Sequence, residues 1–351
     1  SWLVWFMFIG VIPSVAGMGG LAGAVAEAGN AMLPSISIEM WVIACCLFTW
    51  LILYWGSYQS LENILLAMVL LFSFITIVIA FSMQATEYEV TFRQVSQGLT
   101  FNFPTEYLPL ALAVFGFTGI SYGEIMAYTY WCLEKGYAKD TNTDVEETRA
   151  WIKTMQTDVW VTVIFITIGT LPFFFLGAGV LHHVPELQQS LANNSFWDVD
   201  VIGALQNMFS LVLGGWAKWL FVILAFFVLF STLLSGTAAF TRTIADYLIS
   251  TGLILERRET RSYLIKLIAF FIPFFSGVFY FLLPNPITLL IIAGIWAAMG
   301  LPIVNIGALY LISKLDRDLQ PKQITKIILW LSLMLQIIMA LLIIYDMTVG
   351  F

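Results

Sequence analysis

The stretch YLPLALAVFGFTGISYGEIMAYTYWCLEKG, residues 107–136, decides how the chain is read. It begins as an apolar run of the kind that crosses a bilayer, yet nine residues in its middle hold Gly116, Gly119, Ser121, Tyr122, Gly123 and Glu124. Each glycine weakens a helix by about 1 kcal/mol relative to alanine, and a carboxylate near the membrane midplane costs at least ~2.5 kcal/mol. A lipid-facing helix has no use for such residues. A helix interrupted at mid-membrane does, because its freed carbonyls and helix ends can hold a substrate or coupling ion in a protein-lined cavity. On that reading Glu124 is the leading site residue, and Gly116, Gly119 and Gly123 let the helix break. The competing reading makes Glu124 a buried acid bonded to a neighbouring span, with the glycines serving close helix packing.

The sequence around this stretch is membrane protein throughout. Of 351 residues 60% are hydrophobic and only 11% charged, where a soluble domain carries about a quarter charged. Thirteen Trp, 29 Phe and 13 Tyr are spread along the chain, as fits helices anchored by rings at both interfaces. A span needs about 20 apolar residues, and nine segments qualify: A 2–26, B 37–57, C 61–83, D 107–131, E 157–181, F 207–235, G 263–283, H 286–310 and I 324–346. The stretches 84–106, 132–156, 182–206, 236–262 and 311–323 hold most of the charge and read as loops or helix extensions. This is an all-α polytopic membrane protein with no soluble domain.

Basic residues set the expected orientation. The loop after D holds Lys135, Lys139, Arg149 and Lys153; the one after F holds Arg242, Arg257, Arg258, Arg261 and Lys266; the one after H holds Lys314, Arg317, Lys322 and Lys326. The alternate loops are nearly bare, so A starts in the cytoplasm and I ends outside. Ser1 is followed at once by apolar residues with no basic region before them, which excludes a signal peptide and reads as a chain that begins inside a longer protein. A net charge of −7 and the absence of any basic cluster exclude nucleic acid as a partner. Cys45, Cys46 and Cys132 have neither the spacing of a zinc site nor a disulfide framework and read as core residues. The Asn193-Asn194-Ser195 sequon lies in an outer loop and weighs little, and the adjacent His182 and His183 point about 100° apart and make poor joint ligands.

Three other spans carry polar or small residues. In A, Gly17, Gly19, Gly20 and Gly23 form a face for close helix approach, and Glu27 sits near the outer interface. The end of F holds Ser231, Thr232, Ser235 and Thr237; such hydroxyls usually bond back to a carbonyl one turn earlier, the other reading being a sodium site. Arg242 and Asp246, four residues apart, are spaced for an i,i+4 pair. Pro302 and Asn305 in H could bend and gate a vestibule.

The run Gly119 to Ala138 ending in YTYWCLEKGYA, the run SGTAAFTRTIADYL from Ser235 to Leu248, and Leu301-Pro302 together resemble the Nramp family of divalent-metal transporters, nearest its divergent magnesium-type bacterial branch. The resemblance spans the chain and implies a LeuT-type fold of inverted repeats. Spans A to I then match the family's third to eleventh helices: 1–83 the remnant of the first repeat, 107–310 the second, 324–346 an extra helix. The Asp-Pro-Gly-Asn motif of the family's first helix does not occur in the chain. Carried over without gaps, the family's sixth-helix carbonyl ligand falls on Ile120, and its Met-Pro-His falls on Gly123, Glu124 and Ile125. The thioether is gone and a carboxylate stands one residue later.

Carboxylate, carbonyl and water favour Mg²⁺, Ca²⁺ or Mn²⁺ over softer metals, and a larger space suits Mg²⁺, which sheds water reluctantly. The expected function is therefore a secondary transporter of a divalent cation, Mg²⁺ or Mn²⁺, working by alternating access in a bacterial inner membrane. Its site would be the Ile120 carbonyl, Ser121, Gly123 and Glu124, with no resident cofactor. The acidic pair of the family's third helix is missing from span A, which counts against proton coupling. A sodium-coupled amino-acid or solute carrier of the same fold, with Ser231, Thr232 and Ser235 at a cation site, is the alternative; an intramembrane enzyme is more remote, since HExxH and paired intramembrane aspartates are absent.

Overall fold

The computed structural model describes residues 2–55, 58–100, 111, 114–116, 121–137, 145–181, 201–255 and 259–349, and among them it contains helices and no strand. In chain order the helices are α1 (Trp2–Ile9), α2 (Val11–Met32), α3 (Ile38–Trp55), α4 (Tyr58–Met83), α5 (Phe92–Gly98), α6 (Tyr122–Glu134), α7 (Val145–Val180), α8 (Val201–Leu213), α9 (Ala217–Ser250), α10 (Thr260–Leu282), α11 (Pro286–Lys314) and α12 (Gln323–Val349). Eight segments of the described residues are long and apolar enough to span a membrane, α1 and α2 counting together as Val4–Met32. They correspond to spans A, B, C, E, F, G, H and I. Span D is described only in part, and its helix α6 has 13 residues. Large apolar side chains such as Phe74 on α4, Phe165 on α7 and Leu331 on α12 are exposed, as they must be on helices that meet lipid.

The glycine face of span A builds the centre. α2 packs on α11, α9, α10 and α3, and its glycines set how closely they approach. A Cβ on Gly19 would stand 2.5 Å from the carbonyl oxygen of Ser276 on α10, and one on Gly20 would stand 2.7 Å from that of Pro286 on α11. Ala22, Val25 and Ala26 are fully buried beside them, with Leu233 and Leu234 of α9 and Cys45 and Cys46 of α3 in the same cluster. All three cysteines are buried and free. A second cluster joins α4, α7, α8 and α9 around Phe209 and Phe221, whose ring centroids are 4.7 Å apart. α12 lies against α11 alone among the strong helix contacts.

Three boundaries differ from the reading of the sequence. Span A is interrupted at Gly10, between α1 and α2, and runs on to Met32. Span F, expected at 207–235, is instead the 34-residue α9, Ala217–Ser250. Gly214, at φ +90°, ends the separate helix α8 in a conformation that an L side chain resists. The 12 residues before span E, expected as loop or extension, are helical, because α7 starts at Val145.

The basic loops meet on one face. Arg149 Nη2 at the start of α7 donates to the carbonyl oxygen of Asp318, 2.9 Å away in the turn between α11 and α12. On the same face Arg242 of α9 binds Glu134 of α6, and Arg261 Nε of α10 lies 2.8 Å from Asp246 Oδ1 of α9. The expected Arg242–Asp246 pair does not form. Each residue pairs across helices, where charge-assisted geometry is better than an exposed i,i+4 contact allows.

Candidate functional site

Helix α6 starts afresh inside span D. Ser121 has extended backbone, φ −72° and ψ 163°, and acts as N-cap. Its N–H donates to Glu124 Oε2 at 2.7 Å, and the Glu124 N–H donates to Ser121 Oγ at 3.4 Å. This reciprocal capping box satisfies two backbone donors that would otherwise be stranded. It also places a carboxylate in the first turn, where the helix dipole favours negative charge. Glu124 is exposed to the space beside the helix. Neither reading of Glu124 anticipated that its first partner would be its own helix end.

Gly116 and Gly123, two of the three glycines expected to let the helix break, do different work. Gly116 lies in helical backbone; its missing side chain lets it touch the backbone of Gly294 on α11, and a Cβ would collide with that carbonyl. Gly123 has room: its nearest neighbours would be Ser121 Oγ at 3.8 Å and Phe240 Cε1 at 4.0 Å. Gly119 and Ile120, named as break and carbonyl ligand, lie outside the described residues, as do His182, His183 and the sequon.

Tyr122, beside the cap, is the residue that reading the sequence missed. It is buried, and its Oη is 3.4 Å from Ser14 Oγ. Ser14 donates its own proton to the Gly10 carbonyl at 2.8 Å, which leaves Tyr122 as the donor of the pair. A side chain on Gly10 would strike Trp296 Nε1 and come within 3.0 Å of Tyr122 Oη. The start of α6 is thus wedged between the interruption of span A and α11. Nothing in the sequence pointed to it, because positions 10, 14, 122, 296 and 300 meet only in the fold.

The other candidates sit apart from this wedge in their bonding. Ser231 Oγ and Thr232 Oγ1 donate to the Val228 carbonyl at 2.7 and 3.1 Å, and Ser235 Oγ donates to that of Thr232 at 3.3 Å. Their protons are spent within α9. Pro302 is buried in α11. Asn305 Nδ2 donates to Gln336 Oε1 at 3.1 Å and to the Leu329 carbonyl at 3.4 Å, so it ties α11 to α12. Among the described residues no group of three His, Cys, Asp or Glu comes together.

No curated protein matches the chain closely. Residues 1–346 match the family described as Nramp, natural resistance-associated macrophage protein-like. With eight helices among the described residues long and apolar enough to cross a membrane and a match along nearly its whole length, the chain belongs to the Nramp family of LeuT-fold membrane transporters, which move divalent metal cations and are not enzymes.

Proposed function

We propose that the cargo is a hard divalent cation, Mg²⁺ or Mn²⁺, carried by alternating access around the start of α6. The observation that carries this reading is Glu124: an exposed carboxylate in the first turn of a helix that begins inside span D. Ser121, the backbone at Gly123 and the carbonyl of Ile120 would supply neutral oxygens. No thioether stands at position 123, which favours ions that prefer oxygen and keep water. The chain's missing acidic pair in span A supports transport without protons.

The basic loops, gathered on one face, are assigned to the cytoplasm of a bacterial inner membrane by the positive-inside rule. The division into a first-repeat part (1–83), a second repeat (107–310) and an extra helix (324–346) belongs to the same proposal. The sodium-coupled reading has less behind it, since the Ser231, Thr232 and Ser235 hydroxyls bond their own helix.

Uptake of Mg²⁺ and Mn²⁺ into proteoliposomes, with internal pH followed in parallel, tests the proposal. Saturable uptake without acidification, lost in Glu124→Gln, is the expected result. Flux untouched by that substitution would return Glu124 to a purely capping role.

A further inference from the structure

Two side-chain ion pairs lie at one corner of the molecule, where α6, α9 and α10 meet. Arg242 of α9 is the centre. Its Nε and Nη2 both engage the Glu134 carboxylate, the second at 2.9 Å; Nη1 donates to the Ala238 carbonyl at 2.7 Å; and the guanidinium lies 4.7 Å from the ring centroid of Trp131. Arg261, paired with Asp246, sits 5.6 Å from the ring of Tyr130. The last turn of α6 is therefore held by two guanidinium groups, which also suit the negative end of its dipole.

α6 is built to move as one piece. Ser121 and Glu124 close its first turn, and a Schellman motif closes its last: Tyr137 N donates to Cys132 O at 2.9 Å and Gly136 N to Leu133 O at 3.1 Å, with Gly136 at φ +78°. Its ends need no backbone partner from neighbouring helices. The 13-residue rod spans ~20 Å and carries the candidate site at one end and the arginine contacts at the other. Its seam with α9 differs from the glycine-lined seams of α2. There, backbone lies against backbone and separation exposes dry surface; here, the seam ends in a carboxylate and a guanidinium, groups that water can solvate. Glu134 is already 45% exposed and Arg242 16%.

We propose that Glu134 and Arg242 form a latch that docks α6 on α9 and closes the basic face of the transport path, opening when that face must admit or release the cation. The latch rests on the reading of α6 as the site helix. A ligand-driven change between two states needs a contact present in one and absent in the other, and this pair is such a contact, with its carboxylate half already open to solvent.

Ala127, one and two turns before Trp131 and Glu134 and so on the same side of α6 as these contacts, is 3% exposed and reports the seam. In Ala127→Cys protein, reaction with N-ethylmaleimide is followed residue by residue by peptide mass, the buried Cys45 and Cys46 serving as internal fold controls. Glu134→Gln and Arg242→Ala are expected to speed labelling at position 127 by about tenfold, a one-decade population shift, while Cys45 and Cys46 stay protected. The exchange Glu134→Arg with Arg242→Glu should return it toward the starting rate. Unchanged labelling in the single variants, labelling that the exchange leaves fast, or simultaneous loss of protection at Cys45 and Cys46 would each overturn the latch. Labelling needs no metal flux, so a failure of the Glu124 proposal and a failure of the latch are told apart.

Discussion

The Tyr122 ring occupies the space that a side chain on Gly300 would need: a Cβ there would stand 2.7 Å from Tyr122 Cδ1 and 3.0 Å from Cε1. The first residue of the site helix is positioned by an absence on α11, and the tolerance is a few tenths of an ångström. Gly300→Ala should therefore cost about 1–3 kcal/mol through overpacking, although glycine to alanine within a helix is ordinarily favourable. Thermal unfolding of the detergent-purified protein should show a lowered midpoint. Tyr122→Phe should restore little of it, since the ring and not the hydroxyl makes the contact.

Ser121 and Glu124 separate structure from transport. A capping box accepts glutamine as well as glutamate at its fourth position, so Glu124→Gln should keep the thermal midpoint near that of the parent while removing the charge. Ser121→Ala removes the cap and should cost about 0.5–2 kcal/mol. Comparing unfolding midpoints with initial rates of Mn²⁺ uptake checks this: a stable, inactive Glu124→Gln is the expected outcome, and equal destabilisation of the two variants would speak for capping alone.

Gly116 and Gly123 should respond in opposite ways to alanine. At Gly116 the new Cβ meets the carbonyl of Gly294, a backbone group that cannot step aside, and helix and α11 must part. At Gly123 the nearest atom is 3.8 Å away, and removing backbone freedom should be neutral or stabilising by up to about 1 kcal/mol. Yield and monodispersity on size exclusion should fall for Gly116→Ala and hold for Gly123→Ala.

Alkaline pH should loosen the turn after α6. There Tyr137 Oη donates to Asp158 Oδ2 at 2.8 Å, and that hydrogen bond, with burial and the Asp158 charge, raises the Tyr137 phenol above its ordinary value. A group whose pKa is higher folded than unfolded adds stability that is fully present below the unfolded value, about 10, and is lost as pH rises through the folded one. Tyr137→Phe should flatten the decline of the unfolding midpoint above about pH 10.

Much of the architecture was legible in residues 107–136 and the runs around them. Hydropathy is a local, additive property, so each apolar run announces its own span whatever it packs against, and eight of the nine anticipated spans are described as helices of spanning length. The small-residue face of span A announced close packing for the same reason: Gly17 to Gly23 leave no side chain to hold neighbours off. That Ser121 stands three residues before Glu124 is also a local pattern, and a capping box could have been read from it.

Partner choice is where the linear chain stopped informing. Spacing favoured Arg242 with Asp246, yet the fold brings Glu134, 108 residues away in sequence, to the arginine's guanidinium and gives Asp246 to Arg261. Gly116 and Gly123 look alike in sequence, but only the approach of Gly294 makes one of them obligatory. Residues 207–213 belong to α8 and the helix that crosses begins at Ala217, because Gly214 turns the chain in a conformation that no apolar count reveals. Composition and periodicity determined that this chain crosses a membrane and where its odd carboxylate lies. Which groups meet, and so what holds α6 at each end, was decided by tertiary packing, since a long side chain pairs with whatever the neighbouring helix presents within reach.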